Sequence, residues 1–392
     1  MKNSKNFETR AIRTQMERTQ HKEHSTPMFL TSSYMFDGAE HAKGLFDEEI
    51  EGNIYSRYSN PNVSEFIEKM CSLEGTEAGF ATSTGMAAVF ASMAALLEKG
   101  DHVLVCKSVF GSTIQIADNI LGKWGVEADF LDIKKPETWE SQFKPNTKML
   151  VLETPSNPAL DLVDLEWLGK LCKSKNVLLN VDNCFPTPYL QQPQKFGADI
   201  IVHSATKFID GQGRVMGGII LGSKEIIKKV MYFCRHTGPS MSPFNAWTLS
   251  KSLETLHVRL DRHCDNALAL ASYLEGHPEV EKVFYPFLPS HPQYELAKKQ
   301  MKAGGGVVSF VVKGGIERGK KFLNANENLS HGVNLGDTRT IITHPSSTTH
   351  SKMTEEDRVA VGIVPGLIRV SVGLENIEDI KKEIDLLLSK SK

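Results

Sequence analysis

What this chain lacks narrows it quickly. Its 392 residues contain only six cysteines, Cys71, Cys106, Cys172, Cys184, Cys234 and Cys264, spread singly with no C-x-x-C pair. Neither a zinc site nor a dithiol redox motif is therefore written into it, and the six read as reduced core thiols of a cytoplasmic protein. No apolar run approaches the roughly 20 residues that a membrane-spanning helix needs; the longest, Met86 to Leu97, is interrupted by Ser92. The opening residues, MKNSKNFETR, have no apolar middle of the kind found in a secretory signal. Excess charge is missing too. Lys plus Arg number 45 against 47 Asp plus Glu, a net charge of −2, which gives no electrostatic footprint for nucleic acid or an anionic membrane. Repeats and low-complexity tracts are also lacking, so small molecules are the default ligand.

What is present is the composition of a globular protein, 40% hydrophobic and 23% charged, long enough for two or three domains. Residues 1–50 carry scattered charge and no sustained apolar period beyond a helix-like stretch from Ala39 to Phe46. They read as an arm that packs on something else. From Gly75 onward, short apolar runs alternate with helical stretches: Gly79 to Ala81, His102 to Cys106, Met149 to Leu152, Val177 to Val181, Ile200 to Val202 and Gly218 to Leu221. Runs apolar on both faces and separated by helices predict a mostly parallel α/β sheet. After Met241 a long helical period runs to Gly276, with Pro243 in its first turn. The spacing thus predicts an α/β domain over 51–247. A smaller α+β domain over 248–392 follows, with strands at Val280 to Phe284, Val307 to Val312 and Leu367 to Val370, a helix at Gln293 to Met301 and a terminal helix.

The chemistry-bearing residues cluster at predicted strand ends. Lys207 follows the strand Asp199 to Val202, in HSATKFIDG, and Asp182 follows the strand Val177 to Val181. Open α/β sheets bind ligands at that edge. An Asp and a Lys there more often form a structural ion pair. On one rim, however, they can also face a flat cationic ring, the acid on its nitrogen and the lysine on its carbon. Ser83-Thr84-Gly85-Met86 ends a strand and opens a helix, offering free backbone N–H groups to a phosphate, to which Ser204 and Thr206 could add hydroxyls. Three separate parts converge on one phosphorylated ring, pyridoxal phosphate.

Six stretches carry a resemblance over nearly the whole chain: YSRYSNP at Tyr55, STGMAA at Ser83, ETPSNP at Glu153, VDNCF at Val181, HSATK at His203 and RVSVGLE at Arg369. In this order and spacing they resemble the cystathionine γ-synthase family of pyridoxal-phosphate enzymes, also called the Cys/Met metabolism family. The resemblance implies an aminotransferase-like fold (fold type I) with a mostly parallel central sheet and a smaller α+β C-terminal domain. It implies that Lys207 holds the cofactor covalently and serves as catalytic base, that Asp182 keeps the ring nitrogen protonated, and that Gly85, Met86, Ser204 and Thr206 bind the phosphate. Tyr55 and Arg57 are implied to reach that phosphate from a neighbouring subunit. Asn157 is implied to contact the ring oxygen, Arg369 to bind the substrate α-carboxylate with a bidentate fork, and Asn334 and Tyr55 to line the substrate site. A homotetramer, a dimer of dimers with the arm completing the neighbour's site, is implied as well.

Departures from the family pattern narrow the activity. Where many relatives place a ring-stacking tyrosine, SVFGST puts Phe110, which keeps the stacking and loses the hydroxyl. An enzyme that expels a thiol benefits from a general acid, whereas a carboxylate ester leaves as a stable anion. FIDGQGRVMGG, TGPSMSPFNAWTL and NLGDTRTIITHPSSTTH resemble O-succinylhomoserine sulfhydrylases more than γ-synthases or lyases, although Asn334 replaces the usual serine of S-L-G. The expected reaction is γ-replacement of O-succinylhomoserine, or O-acetylhomoserine, by sulfide to give homocysteine, as in methionine biosynthesis. Cystathionine synthesis and γ-lyase activity are the rivals. Other motifs stay silent. Met216 breaks G-x-G-x-x-G at Gly211, and His344 and His350 lack a metal-site partner pattern, so no metal is expected. Cys184 reads as a packing thiol, and Trp124, Trp167 and Trp247 as core or interface anchors.

Overall fold

In the computed structural model, which describes residues 4–392, the apolar runs become a seven-stranded sheet. Its strands are β1 (Ala78–Thr82), β2 (His102–Cys106), β3 (Glu127–Leu131), β4 (Thr147–Glu153), β5 (Leu178–Asp182), β6 (Ile200–Ser204) and β7 (Gly218–Gly222), in the order β1-β7-β6-β5-β4-β2-β3. All neighbours are parallel except β7, which runs antiparallel to both β1 and β6. Central strands such as β2 and β7 are buried at every residue, the burial that a sheet covered by helices on both faces requires. β3 is the strand the apolar-run reading missed: EADFL alternates, and it lies at the sheet edge with only Leu131 buried.

A second, five-stranded sheet is built from β8 (Val280–Phe284), β9 (Val307–Val312), β10 (Ser330–His331), β11 (Ile341–Thr343) and β12 (Leu367–Ser371), in the order β10-β11-β12-β9-β8. Its own core joins Phe310, Phe322, Ile342, Ile368 and Val370 to Leu270 and Leu274 and to Ile384 and Leu388 of the last helix, Ile377–Lys390. Each such side chain, once buried, contributes about 1.5–3 kcal/mol. The long helical period after Met241 is broken. Pro243–Leu253 ends at Glu254, and a second helix, Leu256–Glu275, starts after Thr255, whose ψ of 7° departs from helical geometry.

The amino-terminal segment divides into two parts. Helix Phe7–Arg13 packs Ala11 fully inside, and Phe7 meets the Tyr189 ring at 5.0 Å. Further along, Glu65 of helix Pro61–Glu74 accepts from the Met16 N–H and the Thr26 hydroxyl, while Trp247 donates to the Thr26 carbonyl. Beyond it, Leu30, Met35, Phe46 and Ile50 are exposed. Of the tryptophans, Trp139 is the fully buried one; Trp124 and Trp167 are exposed. Among the described residues no helix is long and apolar enough to cross a membrane.

Candidate active site

The topology brings four strand ends to one rim. Because β7 is antiparallel to its neighbours, Gly218 stands in register with both Thr82 and Ser204. A Cβ at Gly218 would fall 2.2 Å from the Thr84 carbonyl oxygen, so only glycine lets the three segments close. Helix Gly85–Ala94 starts there, capped by the Thr84 hydroxyl, which accepts from the Ala87 N–H at 3.0 Å. A Cβ at Gly85 would lie 2.5 Å from that of Ser204. Gly85, Met86 and Ser204 therefore form one cradle with free helix N–H groups. Thr206 is placed beside it, but its hydroxyl exchanges hydrogen bonds with the Gly217 N–H and carbonyl at 3.2 and 3.4 Å.

Next to the cradle, Asp182 is the last residue of β5, one residue earlier relative to the strand end than its sequence pattern predicts. Its Oδ1 accepts from the Cys184 N–H at 3.0 Å. Burial pushes its pKa up to about 6, against the pull of that N–H, His203 and Lys207. Lys207 lies in the turn after β6. Burial lowers its pKa, and its Nζ donates to the Asn334 Oδ1 at 2.6 Å.

The small sheet supplies the other wall. Arg369, on β12, is 4% exposed. Its Nη2 donates to the Val333 and Asn334 carbonyls, both at 3.0 Å, and its Nη1 donates to the Asn157 Oδ1 at 3.3 Å, while its Nε is buried without a partner. Burial lowers its pKa to about 10, so it stays cationic at neutral pH. Asn334 thus ties two cations at once, Lys207 through its side chain and Arg369 through its backbone. Phe110 stands half exposed at the first turn of Gly111–Gln115.

Lys207, Asp182, Asn157, Asn334, Arg369 and Phe110 are therefore brought together, with Gly85, Met86 and Ser204 beside them. Tyr55 and Arg57 instead pack on Tyr58 and Arg235: the Arg57 guanidinium lies 5.4 and 4.9 Å from the two tyrosine ring centres and donates to the Arg235 carbonyl. Sequence reasoning missed Glu153. It was visible only as the first letter of ETPSNP, yet it is a buried acid at the end of β4, in register with Asp182.

Comparison with known proteins decides the family. The model for "Cys/Met metabolism PLP-dependent enzyme" matches residues 8–389. The chain belongs to that family. This family member is 49% identical to an O-succinylhomoserine sulfhydrylase of Pseudomonas aeruginosa over 96% of its own length and 94% of the relative's. It is 44% identical to an L-methionine gamma-lyase of Porphyromonas gingivalis over 91% and 90%. Among solved structures, a Campylobacter jejuni chain holding N'-pyridoxyl-lysine-5'-monophosphate at its own position 205 superimposes with a TM-score of 0.94 at 31% identity, covering 98% of this chain and all of that one. The α/β fold is that of the family, and the enzyme is PLP-dependent.

The residues present fit that cofactor. The cradle at Gly85 excludes any side chain and suits an anion. Asp182 is a partly buried acid able to face a ring nitrogen, Lys207 is a partly buried amine held by a neutral acceptor, and the orphaned Arg369 Nε awaits an anionic partner.

Proposed function

We propose that this enzyme exchanges the γ-substituent of O-succinylhomoserine, or O-acetylhomoserine, for sulfide, yielding homocysteine and the free acid. The observation that carries the reaction class is Asn334, which holds Lys207 and Arg369 at its two ends. An amine-handling group and a carboxylate-binding group a fixed span apart match an α-amino acid. The 49% identity to a sulfhydrylase supports the choice of ester and sulfur donor.

Pyridoxal phosphate, when bound, supplies an electron-accepting ring for charge that develops on substrate carbon. The chain does the rest. Gly85, Met86, Ser204 and Thr206 would bind the phosphate, joined by Tyr55 and Arg57 of a second copy. Asn157 would hold the ring oxygen, and Asp182 would keep the ring nitrogen protonated. Arg369 would bind the substrate carboxylate, with Nε as the guanidinium donor that has no partner. Lys207, its amine kept neutral more easily by burial, carries the cofactor and moves the α-proton at Nζ. Phe110 walls the ring and offers no hydroxyl, which suits an ester whose leaving group departs as a stable carboxylate. A homotetramer in the cytoplasm, with the arm of residues 1–50, the 51–247 domain and the 248–392 domain as its parts, completes the reading.

Sulfide enters a closed, partly apolar site more easily than cysteine, whose amino and carboxylate groups would cost several kcal/mol if buried unpaired. A product assay with both esters against sulfide and cysteine tests this. The expected result is homocysteine, with sulfide favoured at least about tenfold in kcat/KM, a difference of about 1.4 kcal/mol, and O-succinylhomoserine the better ester. Preference for cysteine would replace the reading with cystathionine synthesis. Predominant 2-oxobutanoate would favour γ-elimination, the second reading, supported by the 44% identity to a gamma-lyase.

A further inference from the structure

One buried carboxyl at the rim has no part in the roles above. Glu153 is 4% exposed at the end of β4. It stands in register with Asp182 on β5, and residues paired this way in a parallel sheet send their side chains to one face. Its Oε2 accepts from the Phe110 N–H at 3.0 Å. Phe110 begins the helix Gly111–Gln115 without a side-chain cap of its own, and its half-exposed ring touches no other aromatic ring among the described residues. Packing therefore does little to fix that ring, so its backbone has to. The Glu153 carboxyl is the group that anchors the Phe110 amide to the sheet.

We propose that Glu153 is a positioning residue: by accepting from the Phe110 N–H it sets where the aromatic wall stands relative to Asp182. This rests on the reading that Phe110 stacks on the cofactor ring. The function needs an acceptor at the right reach, not a charge. In keeping with that, burial and the neighbouring Asp182 both push the Glu153 pKa well up, against the Phe110 N–H, Arg369 and Lys207. An amide oxygen can serve in its place, whereas aspartate keeps the carboxyl group but withdraws the acceptor by about 1.5 Å, one carbon–carbon bond.

The test uses three holoenzyme variants, Glu153→Gln, Glu153→Asp and Glu153→Ala, with Phe110→Ala as control. Hydrogen exchange of the Phe110 amide is expected to quicken at least tenfold in the Ala and Asp variants and to stay within threefold of wild type in the Gln variant. Circular dichroism of the bound cofactor's visible band is expected to fall at least twofold in the first two and to hold in the third. Unchanged protection in Glu153→Ala, or Glu153→Gln behaving like Glu153→Ala, overturns the proposal. If the Ala variant does not fold, the Asp and Gln pair decides: an Asp variant that keeps protection while Gln loses it assigns the role to charge and overturns the proposal. Dichroism lost in Phe110→Ala but kept in Glu153→Ala overturns this inference alone. Dichroism unmoved by Phe110→Ala overturns the stacking reading beneath it.

Discussion

Two lysines, one wholly and one partly sunk in this fold, are treated in opposite ways. Lys69, on helix Pro61–Glu74, is wholly buried. It lies 3.3 Å from both Glu65 and Glu254 and donates to the Ser250 carbonyl at 3.2 Å. Glu65 then reaches on to Met16 and Thr26, so the charge is used up in fastening the amino-terminal segment. Lys207, at the rim of the same sheet, has a neutral amide oxygen as its hydrogen-bond acceptor, and nearby Arg369 keeps one donor without a partner. A buried cation balanced by its surroundings belongs to the architecture. One balanced incompletely is held ready for a ligand.

The comparison is broken most severely by exchanging the two roles. Lys207→Ala is expected to lower turnover by on the order of 10⁴-fold or more and to abolish the borohydride-stable cofactor adduct, which in the wild type is expected to map to Lys207. Lys69→Met leaves the buried Glu65 without a cation, while Glu254 keeps Lys251 at 3.0 Å. It is expected to cost about 3–5 kcal/mol in denaturant unfolding while leaving turnover per folded molecule within about twofold.

Asp182 comes next. Asp182→Asn is expected to slow exchange of the substrate α-proton with solvent deuterium by on the order of 10²-fold. Stability should move the other way in cofactor-free protein. The Asp182 pKa rises from 3.8 to about 6 on folding, so the folded state binds the extra proton and this group's contribution falls as pH climbs between those values. The Asn variant should therefore gain on wild type over that window, by on the order of 3 kcal/mol, and level off above it. A constant difference from pH 4 to 7 would contradict the assignment.

A smaller effect separates the rim from the surface beside it. Arg57 here packs on Tyr55, Tyr58 and Arg235, and the proposed dimer sends it to another copy's phosphate. Mixing inactive Arg57→Ala and Lys207→Ala chains should restore about a quarter of wild-type activity, because half of randomly paired dimers carry one intact site. No recovery in demonstrated hybrids would place the whole site in one chain. The mildest change is Phe110→Tyr, expected to raise the 2-oxobutanoate fraction severalfold and to leave cofactor binding within about twofold, read by product chromatography and cofactor titration.

Much of this was legible in the sequence for a physical reason. β2 was read to the residue because Val103 to Cys106 form an unbroken apolar run after His102, β9 likewise matched its largely apolar run, and β8 matched through Val280, Val283 and Phe284 although two charges interrupt it. β3 escaped because an edge strand can afford polar residues. β10 and β11 escaped because two- and three-residue strands carry no period. The break at Thr255 was hidden by a helical pattern that continues across it. At the site, Lys207 and Asp182 were visible as strand-end residues. The double duty of Asn334 and the Phe110–Glu153 bond were not, since each joins segments far apart in sequence and depends on which sheet face a side chain leaves.

The antiparallel β7 has one more consequence. Among the described residues β1 pairs with no strand except β7, whose first residue comes 136 positions after the last of β1. In a chain made from its amino terminus at about 5–20 residues per second, roughly 7–27 s pass between the two. For that interval β1 is an orphan edge on the nascent chain, and its safekeeping falls to the helix Pro61–Glu74, already made and resting against it.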